Sequence, residues 1–368
     1  MQDGGHHGEG GPASRPPPPQ ATSRDVAPGI AAIATRFARL YGQLGDHAHW
    51  EAQNPLRDGG VDALEGVSAF EATGHWHYIS YGLTELFDTD ARFFQPQPGK
   101  SGWGFELTFR LARGTETSPP SWPVGMMQRL ARYVFRSSNV FRPGDHMDLN
   151  GPMGGIRTHT LTGALFTQDP EVPRADTRFG EVSFLQIVGV SADELEAVKD
   201  WRCDGFIELL ARQDSRLVTA PARRSHLQDA TFAAICREGA RQEGSSHGSS
   251  FASVVRWETE ERQLDIVMGA IAVPDIQRML TLRLPYNRPF RLHGRGASVH
   301  FVPGLGAGWQ EEGSDLVVSV PWDAASALAR RLKPERGTYS WPGMPGIRVV
   351  IEPTEVRGSG GEVLRVIG

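Results

Sequence analysis

The sequence predicts an α+β protein with two mixed α/β-sandwich-like domains, each a sheet with flanking helices, and a cleft between them. The chain has 368 residues, which is long for a single hydrophobic core. Apolar residues alternate with polar ones in some segments and recur at helical spacing in others, so strands and helices are both expected. A Gly/Ser-rich stretch at residues 244–250 separates two such groups and is typical of a flexible connection.

Composition divides the chain into four segments. Residues 1–26 are rich in Gly, Pro, His and Ser and bury too little apolar surface to offset the entropy of ordering, so they are predicted to be a disordered tail. Residues 27–222 are predicted to form the first domain and residues 262–368 the second. Residues 223–261 are expected to be a linker that contains a helical segment.

Four helices are predicted in the first domain. Apolar residues at helical spacing indicate helices over residues 30–44, 122–138, 193–200 and 204–212. Pro28 lies near the start of the first helix, where its missing N–H costs little. Ser121 is predicted to cap the second.

Two strands of the same domain are predicted to differ in their surroundings. Apolar residues at positions 105, 107, 109 and 111 alternate with Glu106, Thr108 and Arg110, so this strand is expected to be half-buried. Residues 182–190 are apolar almost throughout, as in a strand covered on both faces.

The second domain is predicted to be a sheet with at least one helix. Strand patterns occur at residues 264–273, 279–284, 290–292, 298–302, 316–320, 347–351 and 363–367. Asp323 is predicted to cap a helix over residues 324–332. Residues 285–289 are predicted to form a turn.

Charge and cysteine content exclude several classes of protein. A net charge of −5 gives no overall field that would capture nucleic acid or an anionic membrane. The two cysteines, Cys203 and Cys236, form no CxxC pair, so neither a zinc module nor a disulfide scaffold is indicated. Because the sequence also has no signal-like start and no long apolar run, a cytoplasmic protein with reduced thiols is expected.

The search for catalytic motifs nominates no active site. His75 and His77 would point to one face of a strand and could begin a metal site, but no third ligand follows at a recognisable spacing. Asp145 and His146 are a second pair, and Asp145 is equally well explained by stabilising the turn at Pro143 and Gly144. No phosphate loop, GxSxG or HExxH motif occurs, so no enzyme activity, cofactor or metal is predicted.

Several sequence blocks together resemble the Suppressor of fused family. In the first domain they are residues 75–83 (HWHYISYGL), 102–111 (GWGFELTFRL), 122–123 (WP), 130–135 (LARYVF), 144–146 (GDH) and 184–190 (FLQIVGV). In the second domain they are residues 292–295 (LHGR) and 339–342 (YSWP). The resemblance extends over about residues 27–356. Animal members have a long low-complexity insertion between the two domains, and most of it is missing from this chain.

This resemblance implies a binding function. Animal members are cytoplasmic negative regulators of Hedgehog signalling that bind Gli-type transcription factors, so a nuclear location is also implied if the source is eukaryotic. They hold an extended peptide as an added strand in the cleft, with a peptide histidine at an acidic residue. The matching residues here are Tyr133, Phe141 and Asp145 on one wall and Leu292, His293, Gly294 and Arg295 on the other.

Two other functions stay open on the sequence alone. Single-domain bacterial relatives suggest an antitoxin-like immunity protein, which would bind a toxin instead of a transcription factor. A metal-dependent enzyme would have to use His75, His77 and Asp145.

Overall fold

The structure is a computed structural model that describes residues 27–42, 48–88, 94, 97–357 and 362–368. The predicted disordered tail, residues 1–26, therefore lies outside the described residues. The helices are α1 (Pro28–Tyr41), α2 (Trp122–Ser137), α3 (Ala192–Asp200), α4 (Cys203–Gln213), α5 (Ala230–Glu243), α6 (Val273–Leu282) and α7 (Trp322–Arg331). None of these helices is long and apolar enough to cross a bilayer.

The strands fall into two groups along the chain. The first is β1 (Ala48–Glu51), β2 (Gly66–Ala72), β3 (His75–Tyr81), β4 (Lys100–Ala112), β5 (His146–Asp148), β6 (Gly163–Gln168), β7 (Ala175–Thr177) and β8 (Gly180–Val190). The second is β9 (Ser249–Phe251), β10 (Val255–Glu260), β11 (Gln263–Gly269), β12 (Phe290–His293), β13 (Ser298–Pro303), β14 (Gly308–Glu312), β15 (Asp315–Val320), β16 (Gly337–Ser340), β17 (Ile347–Glu352), β18 (Thr354–Arg357) and β19 (Val363–Ile367).

The first group forms one sheet in the order β1-β2-β3-β4-β8-β6-β5, with β7 also paired to β8. The central pair β4 and β8 is parallel, while the other pairs in this sheet are antiparallel. One face packs against α2, and the other packs against α1 and against α3 to α5. This covering on both faces confirms the prediction for residues 182–190.

The prediction that β4 is half-buried is wrong, because its polar face is buried as well. Glu106, Thr108 and Arg110 each have 0% exposure. The two terminal nitrogens of Arg110 and the hydroxyl of Thr108 donate to Asp169. Glu106 accepts hydrogen bonds from the hydroxyls of Ser80 and Thr84. Charged groups can be buried in this way only when such partners are present.

The second group builds the C-terminal domain from two sheets that share one core. A four-stranded sheet has the order β10-β11-β17-β16, and a five-stranded sheet has the order β14-β15-β13-β12-β9. Helices α6 and α7 pack into the same core, and β18 pairs with β19 as a separate hairpin. The predicted α+β class with two domains is therefore confirmed.

Part of the predicted strand pattern in this domain is wrong. Residues 279–284 were expected to be a strand, but residues up to Leu282 belong to α6. Pro274 in the first turn favours a helix start, and Ile276, Met279 and Leu280 then share one buried face. Helix α7 begins at Trp322, so Asp323 lies in its first turn and is not its N-cap.

Ser121 occupies the N-cap position of α2 as predicted, but its side chain makes no capping hydrogen bond. The backbone of Pro123 in the first turn is enough to favour a helix start there, because proline has no N–H to satisfy.

The stretch at residues 244–250 is packed, and the prediction of a flexible connection is wrong. Ser245 has 0% exposure, and its N–H donates to the carbonyl of Leu282 over 2.6 Å. Gly244 has φ +69°, and a Cβ here would lie 2.5 Å from the same carbonyl oxygen, so the position favours glycine. Strands β9 and β10, which fall within the expected linker, pair with β12 and β11 and so belong to the C-terminal sheets.

Candidate functional site

A cavity of about 350 Å³ lies where the two domains meet. The N-terminal domain contributes α2 and the segment that leads into β5, and the C-terminal side contributes the residues around the start of β9. The lining residues are Tyr133, Asn139, Val140, Phe141, Gly144, Asp145, His146, Met147, Ser246, His247 and Ser249. Three residues predicted from the sequence, Tyr133, Phe141 and Asp145, are thus brought together.

Two aromatic rings form one wall of this cavity. Tyr133 is 37% exposed and stacks on Phe141, with ring centroids 5.6 Å apart. Phe141 is itself stacked on the buried Phe166, with centroids 4.1 Å apart. The Tyr133 hydroxyl accepts a hydrogen bond of 2.8 Å from the Asn139 side chain, which fixes the ring. A partly exposed ring held against a core aromatic gives a rigid apolar contact surface.

The two carboxylate oxygens of Asp145 have different surroundings. Oδ2 accepts the N–H of Arg142 over 2.8 Å and so stabilises the turn, as the simpler interpretation of this residue predicts. Oδ1 has no hydrogen-bond partner within the described part of the chain. Burial raises the pKa of Asp145, and the hydrogen bond from Arg142 offsets part of that rise. One oxygen therefore has a structural role, while the other can accept a hydrogen bond from a ligand.

A strand edge from each domain borders the cavity. β5 is the last strand of the N-terminal sheet, and β9 is the last strand of the five-stranded C-terminal sheet. His146 and Met147 of β5 and Ser249 of β9 line the cavity. An edge strand presents backbone N–H and C=O groups that can pair with another chain.

The residues predicted for the second wall do not line this cavity. Leu292 has 0% exposure and belongs to the C-terminal core, and β12, which contains Leu292 and His293, lies behind β9 in the sheet. Gly294 and Arg295 follow at the end of that strand. The wall is made instead by Ser246, His247 and Ser249. The sequence signal for these residues was obscured by the Gly/Ser-rich composition around them.

The two domains are held together beside this wall by Arg278 of α6. Its side chain is 10% exposed and donates to Asp200 over 2.6 Å and to Asp275 over 2.8 Å. It also bonds to Glu196, which like Asp200 lies on α3 of the other domain. Two hydrogen bonds to backbone carbonyls reinforce this junction: the N–H of Ser246 donates to Trp201, and the side-chain hydroxyl of Ser245 donates to Lys199.

His77, one of the two histidines considered for a metal site, has other partners. His77 contacts Asp169 over 3.1 Å and the Tyr41 hydroxyl over 2.7 Å, and it is fully buried. Burial lowers the pKa of His77 to about 4, although the hydrogen bond to Asp169 offsets part of this effect. Across the described residues, no three His, Cys, Asp or Glu side chains are grouped so that they could hold a metal ion.

Comparison with known proteins identifies the family. The profile described as Suppressor of fused protein (SUFU) matches residues 60–224. Suppressor of fused homologs from Homo sapiens and Mus musculus are each 42% identical over 192 residues. A chain in the crystal structure of the Sufu-Fu complex is 31% identical, with a TM-score of 0.53, and is matched over 96% of its length and 56% of this one. The chain belongs to the Suppressor of fused family.

Comparison with a two-domain structure of the family supports the architecture. The crystal structure of Drosophila Suppressor of Fused has a TM-score of 0.75 at 23% identity, over 89% of this chain and 97% of that one. It therefore shares the fold through both domains. The human and mouse matches cover 50% of this chain, and the chain spans 40% of the length of each of those relatives.

Proposed function

We propose that this chain is a non-enzymatic regulator that binds another protein by taking one of its extended segments into the cavity between the domains. The observation that carries this proposal is that β5 and β9, one strand edge from each domain, border the same cavity. The family supports it, since one solved relative is a complex of Sufu with Fu. A cytoplasmic or, in a eukaryote, nuclear location and a role in negative regulation accompany the proposal.

The cavity offers both affinity and selectivity to such a segment. A strand added to an open edge gains backbone hydrogen bonds, which are independent of its sequence. Side chains then provide the choice of partner: Tyr133 and Phe141 favour an apolar or planar residue. The free Oδ1 of Asp145 favours a histidine or another cationic donor, because hydrogen bonds to a charged group are stronger than neutral ones.

The test is selection of peptides on the full chain, using a phage-displayed library of random 12-residue peptides. Asp145→Asn keeps an oxygen for the N–H of Arg142 but removes the charge. It should weaken the selected peptides that carry a histidine or basic residue by about tenfold or more, and leave the thermal midpoint unchanged.

The matched control is Asp229→Asn, because one oxygen of Asp229 likewise accepts a single backbone N–H, that of Phe232 over 2.8 Å, and Asp229 is not among the cavity residues. Its peptide affinities should equal those of the unmodified chain. The proposal fails if no peptide is selected, or if peptide binding is insensitive to both Tyr133→Ala and Asp145→Asn.

A further inference from the structure

We propose that His146 and His247 form a second subsite of the cavity, which takes an acidic side chain of the bound segment. The inference rests on the function proposed above, because it states the chemistry of one residue in the peptide. Asp145 would select a basic residue, and the histidine pair would select an aspartate or glutamate at a fixed distance from it.

The two imidazoles face each other across the domain boundary. His146 lies at the start of β5 and His247 two residues before β9, and their ring centroids are 5.2 Å apart. Both rings line the cavity. An acidic side chain placed beside them would contact both domains at once.

The ring nitrogens of His146 and the Nε2 of His247 are without hydrogen bonds in the described parts of the protein. The ring nitrogens of His146 make no hydrogen bond to any described residue. The Nε2 of His247 is buried without a hydrogen bond to a described residue, and it lies 3.9 Å from the Oδ2 of Asp275, which is ion-pair distance when the imidazole is protonated but too long for a hydrogen bond. Buried polar atoms are nearly always hydrogen-bonded, so the buried Nε2 of His247 at the cavity wall indicates that a polar ligand group completes the site.

The charged groups around the two histidines indicate the sign of the charge on that ligand group. Lys199 of α3 and Arg278 of α6 contribute positive charge at His146, whereas Asp275 of α6 contributes negative charge. Asp275 already accepts hydrogen bonds from Arg278 over 2.8 Å and from Ser250 over 2.9 Å. The nearby acids of α3 are paired as well.

The nearby acidic residues of α3 are bound by basic side chains. Glu196 is bound by Lys199 over 2.9 Å and also by Arg278, and Asp200 is bound by Arg278 over 2.6 Å. Asp145, which precedes His146, uses one oxygen for the turn and keeps the other for a donor. The ring nitrogens of His146 and the Nε2 of His247 therefore have no hydrogen bond to a described residue, and a carboxylate of the bound segment supplies an acceptor for them.

Binding of a carboxylate at this position is coupled to proton uptake. Burial lowers the pKa of His146 to about 4, and the nearby His247 and Lys199 lower it further. His146 is therefore neutral at neutral pH while the cavity is empty. A carboxylate beside the rings stabilises the protonated imidazole and raises its pKa, so the complex binds more protons than the free protein. The affinity for an acidic peptide must then rise as the pH falls.

The test uses the selected peptides themselves, so that it does not depend on a variant that folds. Peptides are selected as above at pH 6 and at pH 8. The best binder with an aspartate is then synthesised beside its Asp→Asn counterpart, and both are titrated by fluorescence anisotropy from pH 5.5 to 8. The aspartate peptide should bind about tenfold more tightly at pH 6 than at pH 8, and the asparagine peptide should not.

Protein variants then assign the effect to the pair. His146→Phe and His247→Phe keep a planar ring and should abolish the pH dependence of the aspartate peptide. His300→Phe, in β13 and not among the cavity residues, should leave it unchanged.

The outcomes separate the two proposals. Peptides that bind in the cavity with no acidic preference, or with the same pH dependence for aspartate and asparagine, overturn the subsite and leave the proposed function standing. Weaker binding of every peptide at pH 6 also overturns the subsite, since protonation of the histidines would then force the domains apart. Failure to select any peptide overturns both.

Discussion

Replacing Arg110 with methionine removes a buried cation and leaves its partners in place. The guanidinium group has no exposed surface and donates to both oxygens of Asp169 at 2.9 Å. It also donates to Glu171 over 3.0 Å and to Gln186. Because Asp169 is only 4% exposed, water cannot replace what the substitution removes.

The expected loss in the free energy of unfolding depends on the hydrogen bonds that Asp169 retains in the variant. Leaving one partner of a buried ion pair without the other costs about 3–5 kcal/mol. Asp169 would still accept from Thr108 over 2.7 Å, from His77 over 3.1 Å and from two backbone N–H groups at 2.9 Å. We therefore expect the lower end of the range, about 3 kcal/mol, in the free energy of unfolding. Asp169→Asn added to Arg110→Met should recover part of the loss, since it removes the stranded charge.

The assay is urea denaturation, with hydrogen exchange of β3 and β4 to assign the transition to the N-terminal domain. The control is Arg174→Met, because Arg174 is 63% exposed and pairs with Glu181 at the surface over 3.2 Å. Such pairs contribute about 0–1 kcal/mol. A loss below 1 kcal/mol for Arg110→Met, or a double variant less stable than the single one, would refute the reasoning.

Three further outcomes are expected. Burial raises the pKa of Glu106 to about 7, so the folded state binds more protons than the unfolded one. The free energy of unfolding therefore falls as the pH rises from about 4.5 to 7. Glu106→Gln should flatten this pH dependence in thermal midpoints measured from pH 5 to 8. Arg278→Met should increase the radius of gyration in solution scattering at unchanged far-UV circular dichroism, whereas Arg241→Met, at an exposed pair, should not; equal radii would argue against an interdomain clamp. Gly244→Ala should lower stability by about 1–3 kcal/mol in urea titration because of the positive φ and the carbonyl of Leu282, and an unchanged midpoint would contradict this.

The predictions made from local pattern agree best with the structure. The apolar stripe of α2 and the continuous apolar run of β8 each specify an element without reference to the rest of the chain. The family resemblance also selected Tyr133, Phe141 and Asp145, which converge on one cavity. For the short run at residues 279–284, an apolar pattern did not separate strand from helix.

The features that sequence reasoning missed depend on distant partners. The polar face of β4 is buried because Asp169, 59 residues after Arg110, supplies the opposite charge. The segment at 244–250 is ordered by the carbonyls of Trp201 and Leu282, although its composition is that of a linker. Patterns of neighbouring residues in the sequence do not reveal such contacts between distant residues. His247 was overlooked for the same reason, since its place opposite His146 arises only when the domains dock.

In the proposed binding mode, the length of the two strand edges limits how long a partner segment stays bound. β5 and β9 are three residues each, so an added strand gains few backbone hydrogen bonds, each worth about 0.5–1.5 kcal/mol net. The backbone alone would then support only weak binding with rapid dissociation. Residence time is therefore determined by the partner's side chains, and arbitrary extended chains that enter the cavity should leave it quickly.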